Sequence, residues 1–176
     1  SAPAQTLFDV VRKLPATAEV QLEFLPDTQR LSIQAGRSRF ALPTLPAADF
    51  QTMNKDEGTV SFSIDVADLK RLIDKTRFAI STEETRYYLN GVYLHVAEGE
   101  DGAKLRAVAT DGHRLALSEI DAPQGCEGLP GVIIPRKAVS EIRRLIDGYD
   151  GVIEVSASEA KIVFTAGRAV LTTKLI

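Results

Sequence analysis

The sequence predicts an α+β fold made of repeats, each combining a helix with antiparallel strands, and with the helices on one face. Apolar residues recur at helical spacing in three segments and alternate with polar residues in the segments between them. The order of these segments repeats along the chain, which indicates internal repetition of one structural unit. The 176 residues are 44% hydrophobic and 26% charged, a composition that excludes a disordered chain and suffices for a buried core.

The first block of the chain predicts one helix followed by three strands. Apolar residues recur at i, i+3, i+4 and i+7 over residues 3–14, and Pro15 ends this helix. A turn at Pro26 and Asp27 separates the first two alternating segments. The three predicted strands cover residues 19–24, 30–35 and 37–42.

The second block begins after a polar stretch over residues 51–58, which we interpret as a linker between domains. A strand over residues 59–65 leads into a helix over residues 66–79, and Asp65 is suited to cap that helix. Three more strands are predicted over residues 87–98, 104–110 and 113–120, the last two joined by a hairpin turn at Asp111-Gly112.

The third block repeats the pattern of the first. It predicts a strand, a helix and three strands over residues 132–135, 136–147, 152–157, 160–166 and 169–175. Its helix corresponds to the helix of residues 3–14, and Ala-Gly-Arg occurs at both 35–37 and 166–168. We therefore expect residues 59–176 to be one complete domain of two repeats. Residues 1–50 are expected to be the second half of a preceding domain, and the chain a fragment of a longer protein.

The charge distribution indicates a binding surface on the two helices of residues 66–79 and 136–147. The net charge of −3 argues weakly against nucleic-acid binding, but a net value conceals where the charges lie. On the faces turned away from the predicted core, eight basic residues face only Asp74 and Glu141. Two adjacent basic helices can follow phosphates without reading bases, whereas the alternative is a solvated helix surface. The eight are Lys70, Arg71, Lys75, Arg77, Arg136, Lys137, Arg143 and Arg144.

Several other functional classes lack support in the sequence. No apolar run is long enough to span a membrane, and the single cysteine, Cys126, excludes an internal disulfide and fits a cytosolic setting. No glycine-rich phosphate loop and no metal-ligand spacing occurs, so we expect no cofactor. Two alternatives remain open: an enzyme with a site around Asp111 and His113, and a stand-alone peptide-binding module.

Four stretches of the chain resemble the bacterial sliding clamp family, the beta subunit of DNA polymerase III. They are TRYYLNGVYLH at 85–95, LRAVATDGHRLAL at 105–117, GRSRFALPTLPAADF at 36–50 and VIIPRKAV at 132–139. The resemblance implies the DNA-clamp fold and a non-enzymatic processivity factor whose three-domain subunits form a head-to-tail homodimeric ring around duplex DNA. It also implies that residues 1–50 belong to the first domain and residues 59–176 form the middle domain, in the bacterial cytoplasm.

The resemblance also implies a DNA-binding set, because the helices of the family line the central hole. Arg86, Tyr87 and Tyr88 are expected on a loop that touches DNA, where the preceding Glu83 and Glu84 would weaken phosphate contact. The remaining expected contacts come from the two basic helices: Arg71, Lys75, Arg77, Arg136, Lys137 and Arg143.

Two protein-binding surfaces follow from the same resemblance. One is a peptide cleft that docks the DNA polymerase III alpha subunit, the clamp loader and repair proteins. We expect this cleft and the homodimer ring to be incomplete in the chain, and the leucines of the cleft could instead be core residues. The expected cleft residues are Leu89, Thr110, Gly112, His113, Arg114 and Leu115. The expected subunit interface comprises Arg30, Arg37, Arg39, Phe40 and Leu42.

Overall fold

The structure is a computed structural model that describes residues 1–50 and 60–176, so the predicted linker over 51–58 lies outside the described residues. The chain divides after Met53 into two compact units. We call them the N-terminal unit, Ser1–Met53, and the C-terminal unit, Asn54–Ile176.

The N-terminal unit contains one helix and a three-stranded sheet. Helix α1 spans Ala4–Val11, and the strands are β1 (Gln21–Leu25), β2 (Arg30–Ala35) and β3 (Ser38–Pro43). The strands are antiparallel in the order β1-β2-β3, and a short 3-10 helix follows at Ala47–Asp49. Helix α1 ends three residues earlier than predicted, because the last residues before Pro15 form turns rather than α-helix.

The C-terminal unit begins with a first repeat of one strand, one helix and three strands. Its elements are β4 (Val60–Asp65), α2 (Val66–Thr76), β5 (Gly91–Gly99), β6 (Gly102–Thr110) and β7 (Leu115–Asp121). The predicted cap of α2 is confirmed, since the backbone N–H of Ala67 donates to Oδ1 of Asp65 at 2.8 Å.

The predicted strand over 87–98 is wrong at its beginning. Two 3-10 segments, Arg77–Ala79 and Glu84–Leu89, lie between α2 and β5, and the strand starts only at Gly91. Gly91 is needed there because a Cβ at this position would collide with the carbonyl oxygen of Ile134 on the neighbouring strand.

The second repeat of the C-terminal unit has the same element order. Its elements are β8 (Val132–Pro135), α3 (Arg136–Leu145), β9 (Val152–Ala157), β10 (Lys161–Ala166) and β11 (Ala169–Lys174). These bounds agree with the sequence-based prediction to within two residues, because each strand alternates and the helix has a clear apolar stripe.

The two repeats exchange their first strands. The sheets have the orders β11-β10-β9-β4 and β7-β6-β5-β8, and all pairs are antiparallel. In the register, Phe62 of β4 faces Val155 of β9, and Tyr93 of β5 faces Ile133 of β8. Each four-stranded sheet therefore contains residues from both repeats, and neither repeat forms a four-stranded sheet by itself.

The core of the C-terminal unit lies between the two sheets and the two helices. Leu72 of α2, Ile142 of α3 and Phe164 of β10 are almost completely buried in it. The helices lie side by side, as predicted, and Arg143 of α3 contacts Asp74 of α2 with an N–O distance of 3.0 Å. The apolar stripes thus face the sheets, and the polar faces of both helices lie on one surface.

Candidate nucleic-acid and peptide-binding surfaces

The exposed faces of α2 and α3 carry eight basic residues, of which four are in ion pairs. We call these faces together the helix surface. Arg71 pairs with Asp68, and Arg144 pairs with Glu141, each three residues away on its own helix. Among the described residues, Lys70, Lys75, Arg136 and Lys137 have no acidic partner within 4.0 Å. The positive charge available to a ligand is therefore about half of what the sequence count suggests.

A four-residue network joins the two helices at the middle of the helix surface. Asp74 accepts hydrogen bonds from Nε of Arg143 at 3.0 and 3.1 Å, and it pairs with Arg77 at 3.2 Å. Asp147 accepts a second bond from Arg143, at 3.1 Å. The carboxylates of Asp147 and Asp74 raise the pKa of Arg143 above its ordinary value. The predicted DNA contact Arg143 is thus mostly covered, with 18% of its side chain exposed.

The first turn of α3 places two unpaired bases at the positive end of the helix dipole. Arg136 and Lys137 are the first two helical residues, Pro135 provides no side-chain cap, and the first turn contains no acidic residue. Cations there are unfavourable unless an anion binds nearby. A groove of about 530 Å³ begins at this turn, and it is lined in part by Tyr87, Asn90, Arg136, Lys137 and Ser140. The structure therefore brings the predicted contacts Tyr87, Arg136 and Lys137 together.

The segment expected to be a DNA-contacting loop is a 3-10 helix over Glu84–Leu89. Glu83 accepts two hydrogen bonds from the guanidinium of Arg86, at 2.7 and 2.6 Å, and this pairing lowers the pKa of Glu83. The rings of Tyr87 and Tyr88 are exposed and meet edge to face at 5.7 Å. The two tyrosines are accessible to a ligand, whereas the charge of Arg86 is already compensated.

The turn between β6 and β7 is organised by Asp111. Its Oδ1 accepts from the backbone N–H groups of His113 and Arg114, both at 3.0 Å, and these bonds lower the pKa of Asp111 to about 2. Gly112 has a φ of +90°, and the hydroxyl of Thr110 accepts from its N–H at 3.1 Å. The turn has four residues rather than the predicted two, because Thr110 pairs with Leu115.

The residues of the expected peptide cleft gather around this turn. Arg86 packs its guanidinium against Gly112, and in this way it joins the segment that carries Leu89 to the turn. Arg114 donates to the carbonyl oxygen of Phe78 at 3.0 Å, and its guanidinium lies 5.6 Å from the centre of the Phe78 ring. Leu115 is 65% exposed, so its interpretation as a core residue is wrong.

One contributor to this region was missed by the sequence reasoning. The exposed ring of Phe78 lines a groove of about 540 Å³ together with Leu115 and Leu117 of β7 and Arg71 and Lys75 of α2. Phe78 directly follows the apolar stripe of α2, so its position in the helical repeat was the sequence signal that could have identified it. A 3-10 turn at Arg77–Ala79 interrupts this repeat, so the helical spacing no longer predicts the direction of the Phe78 side chain.

In the N-terminal unit, the expected interface residues differ in exposure. Arg30, Arg37 and Arg39 are exposed, and Phe40 is partly exposed. Leu42 is only 6% exposed because it faces Leu31 in the β2–β3 register and packs in the core beside Ile33. Leu42 therefore supports β3 from within the unit, and its expected part in a subunit interface remains a prediction.

Catalytic and metal-binding arrangements receive no support in the part of the chain that the structure describes. Asp111 takes hydrogen bonds from two backbone N–H groups and from Arg114, and none of the bonds found there comes from the imidazole of His113. No group of three or more His, Cys, Asp or Glu residues among residues 1–50 and 60–176 is placed to hold a metal ion. Within the same ranges, no helix is long and apolar enough to cross a membrane.

Comparison with protein families covers nearly the whole chain. Residues 63–176 match the central domain of the DNA polymerase III beta subunit, and residues 1–54 match its N-terminal domain. The chain belongs to the DNA polymerase III beta subunit family. This membership agrees with the resemblance found in the sequence and with the fold, and it favours neither an enzyme nor a stand-alone peptide module.

Individual relatives of this family are similar along the entire chain. The beta sliding clamp of Caulobacter vibrioides is 56% identical over 176 residues, and that of Escherichia coli is 41% identical over 178. The chain spans about half the length of these curated relatives, 47% and 46% respectively.

The fold is the same in solved clamp structures. A crystal structure of the Caulobacter crescentus beta sliding clamp matches 99% of the chain with a TM-score of 0.93, and the chain covers 46% of it. A sliding clamp from Bartonella birtlesii, solved bound to griselimycin, is 48% identical and matches 99% of the chain with a TM-score of 0.91, and the chain covers 46% of it. The DNA-clamp fold predicted from the sequence is confirmed by these similarities.

Proposed function

We propose that the chain acts as part of a DNA polymerase processivity factor, a sliding clamp that encircles duplex DNA, in the bacterial cytoplasm. The observation that carries this proposal is the helix surface, on which Lys75, Arg136 and Lys137 are exposed and unpaired among the described residues. Membership of the beta subunit family supports it. The chain performs no chemical step, because its role is to hold DNA and partner proteins together.

The mode of DNA binding follows from the positions of the basic side chains on α2 and α3. Lysine and arginine side chains on helices that lie across a surface contact phosphates, and phosphate contacts carry no sequence information. Arg71 adds a contact once it exchanges Asp68 for a phosphate, whereas Arg77 is held by Asp74. Tyr87 and Tyr88 widen the surface beside the first turn of α3. Arg86 and Arg143 contribute less than the sequence alone suggests, since each is held by acidic residues.

We infer a second activity, the docking of partner peptides around the β6–β7 turn. Leu89 and Leu115 supply apolar contacts, and Thr110, Gly112, His113 and Arg114 supply polar groups around them. The partners proposed from the family are the DNA polymerase III alpha subunit, the clamp loader and repair proteins. Solved relatives bound to griselimycin show that clamps of this family take ligands.

The subunit contact of the ring is proposed at the exposed residues of β2, of β3 and of the turn between them. Arg30, Arg37 and Arg39 present positive charge there, and Phe40 adds apolar area. An acidic surface on a second subunit is the complementary partner, so the homodimer would be weakened by salt. Leu42 contributes by holding β3 in place.

The helix surface is tested by the salt dependence of duplex binding. With roughly five phosphate contacts, the slope of log affinity against log salt should be about −4 to −5, without sequence preference. Changing Arg71, Lys75, Arg136 and Lys137 to Ala should reduce the magnitude of this slope to about 1 or less. The slope is measured by fluorescence anisotropy between 50 and 200 mM salt.

A control with the same change in charge makes this test specific. Replacing Arg12, Lys13, Arg168 and Lys174 by Ala removes four exposed bases from turns and from β11. If this control flattens the slope as much as the helix variant does, net charge rather than the helix surface binds DNA. An unchanged slope in the helix variant would rule out phosphate contact by α2 and α3.

A further inference from the structure

The acidic side chain at the centre of the helix surface is Asp74, and it occupies an unusual position. It lies on the face that carries the basic residues, and it contacts one arginine of its own helix and one of the other helix. Among residues 1–50 and 60–176, the pair of Asp74 with Arg143 is the one ion pair that joins α2 to α3. Its role is therefore not explained by the stabilisation of a single helix.

The geometry indicates that the pair persists in water. Nε of Arg143 donates to both carboxylate oxygens of Asp74, and Nη1 of the same arginine donates to Asp147 at 3.1 Å. Asp74 is 33% and Arg143 18% exposed at the side chain, so salt screens this pair less than it screens a fully exposed pair. These bonds hold the guanidinium of Arg143 against the two carboxylates, and 18% of its side chain is exposed.

We propose that Asp74 is a positioning residue that withholds Arg77 and Arg143 from DNA phosphates and so keeps the clamp's hold on the duplex weak enough to slide. This inference rests on the proposed DNA-binding function of the helix surface. A clamp retains DNA by encircling it, so each additional phosphate contact would slow its movement without being needed for retention. Asp74 limits these contacts where Arg77 and Arg143 meet on the helix surface.

The experiment replaces Asp74 by Asn in the full 176-residue chain and measures duplex binding against salt. Release of one or two guanidinium groups should steepen the slope by about 1 to 2, because each phosphate contact contributes about −0.9. Affinity should then fall about 3- to 12-fold more than in the unchanged chain between 50 and 200 mM salt. Asp74→Glu, which retains the charge, should restore the original slope.

Two comparisons separate this role from a general effect of charge or folding. Glu154→Gln removes the same charge from an exposed position of β9 and should steepen the slope less than Asp74→Asn does. In a chain that already carries Arg77→Gln and Arg143→Gln, Asp74→Asn should lose most of its effect. If Asp74→Asn unfolds at the assay temperature, Asp147→Asn frees one bond of Arg143 and should steepen the slope by up to about 1.

The outcomes distinguish this inference from the function on which it rests. An unchanged slope in folded Asp74→Asn, or equal steepening by Glu154→Gln, overturns the role of Asp74. If the four-alanine helix variant described above also leaves the slope unchanged, the helix surface itself is wrong. A flattened slope in that variant together with no effect of Asp74→Asn overturns only the positioning role.

Discussion

The two units of the chain use the same helix-and-strand repeat but bury it to different extents. In the C-terminal unit, α2 has four buried residues and α3 has three, whereas α1 of the N-terminal unit has none. The sheet of the N-terminal unit has three strands, while each sheet of the C-terminal unit gains a fourth from the other repeat. Phe8, Leu22 and Phe24 consequently remain more than half exposed.

This difference indicates that one repeat cannot cover its own apolar face. Two repeats solve the problem by facing each other and exchanging β4 and β8, which produces a continuous core. The exposed apolar residues of the N-terminal unit support the proposal that residues 1–50 are one repeat of a two-repeat domain. Ile33, Ala35 and Leu42 form its small buried centre.

The largest expected effect is on the stability of the C-terminal core. Phe164 is 1% exposed, so Phe164→Ala creates a cavity in the core and should lower the free energy of unfolding by about 3–5 kcal/mol. Phe24→Ala in the N-terminal unit removes a ring that is 52% exposed and should cost less than about 1 kcal/mol. Urea unfolding followed by circular dichroism measures both, and similar losses would contradict the contrast between the units.

The second prediction concerns exposed apolar residues, which have different roles in the two units. Leu115→Asp should weaken binding of a clamp-binding peptide at least about 10-fold, because a charge replaces a side chain whose burial contributes roughly 1.5–3 kcal/mol. The unchanged chain should itself bind the peptide weakly, with a Kd above ~100 μM, which corresponds to a binding free energy smaller than about 5.5 kcal/mol in magnitude.

Leu22→Asp provides the matched control for this measurement. It places the same charge at Leu22, a leucine of the N-terminal unit that is 57% exposed, and should leave peptide affinity unchanged in a calorimetric titration. Equal weakening by both variants would show that the peptide does not bind at the β6–β7 turn.

A smaller effect is expected where the two units begin their helices differently. The carboxylate of Asp65 caps α2, whereas α1 starts after Pro3 without a side-chain cap. Asp65→Ala should therefore lower the stability of the C-terminal unit by about 1 kcal/mol. Ser63→Ala on the same strand is the control for thermal unfolding, and a loss no larger than in this control would mean that the cap is not stabilising.

The last prediction concerns the pH dependence contributed by the turn at Asp111. Its pKa is lowered from 3.8 to about 2, so its ionised form stabilises the folded state above pH 4, and this stabilisation disappears as the pH falls towards 2. The difference in urea midpoint between the unchanged chain and Asp111→Ala should accordingly shrink over that range. Asp27→Ala, in the β1–β2 turn of the other unit, is the control, and a difference that stays constant with pH would contradict the role of Asp111.

Local patterns in the sequence determined most of the secondary structure and the repeat. Asp65 was recognisable as a cap because it directly precedes an apolar helical stripe, and β8 was recovered at its observed bounds of Val132–Pro135. Such features depend on neighbouring residues along the chain, so they can be inferred without knowing the fold.

Only the tertiary structure decided which charges and apolar groups remain available. The exchange of β4 and β8, the pairing of Asp74 with Arg143, and the burial of Leu42 all join residues that are distant in sequence or depend on strand register. The sequence does not distinguish a basic residue whose charge is unpaired from one whose charge is compensated by an acidic neighbour. Periodicity could therefore identify the helix surface. Only the contact between the two helices could show that the charge of Arg143 is compensated, whereas Lys75, Arg136 and Lys137 have no acidic partner among the described residues.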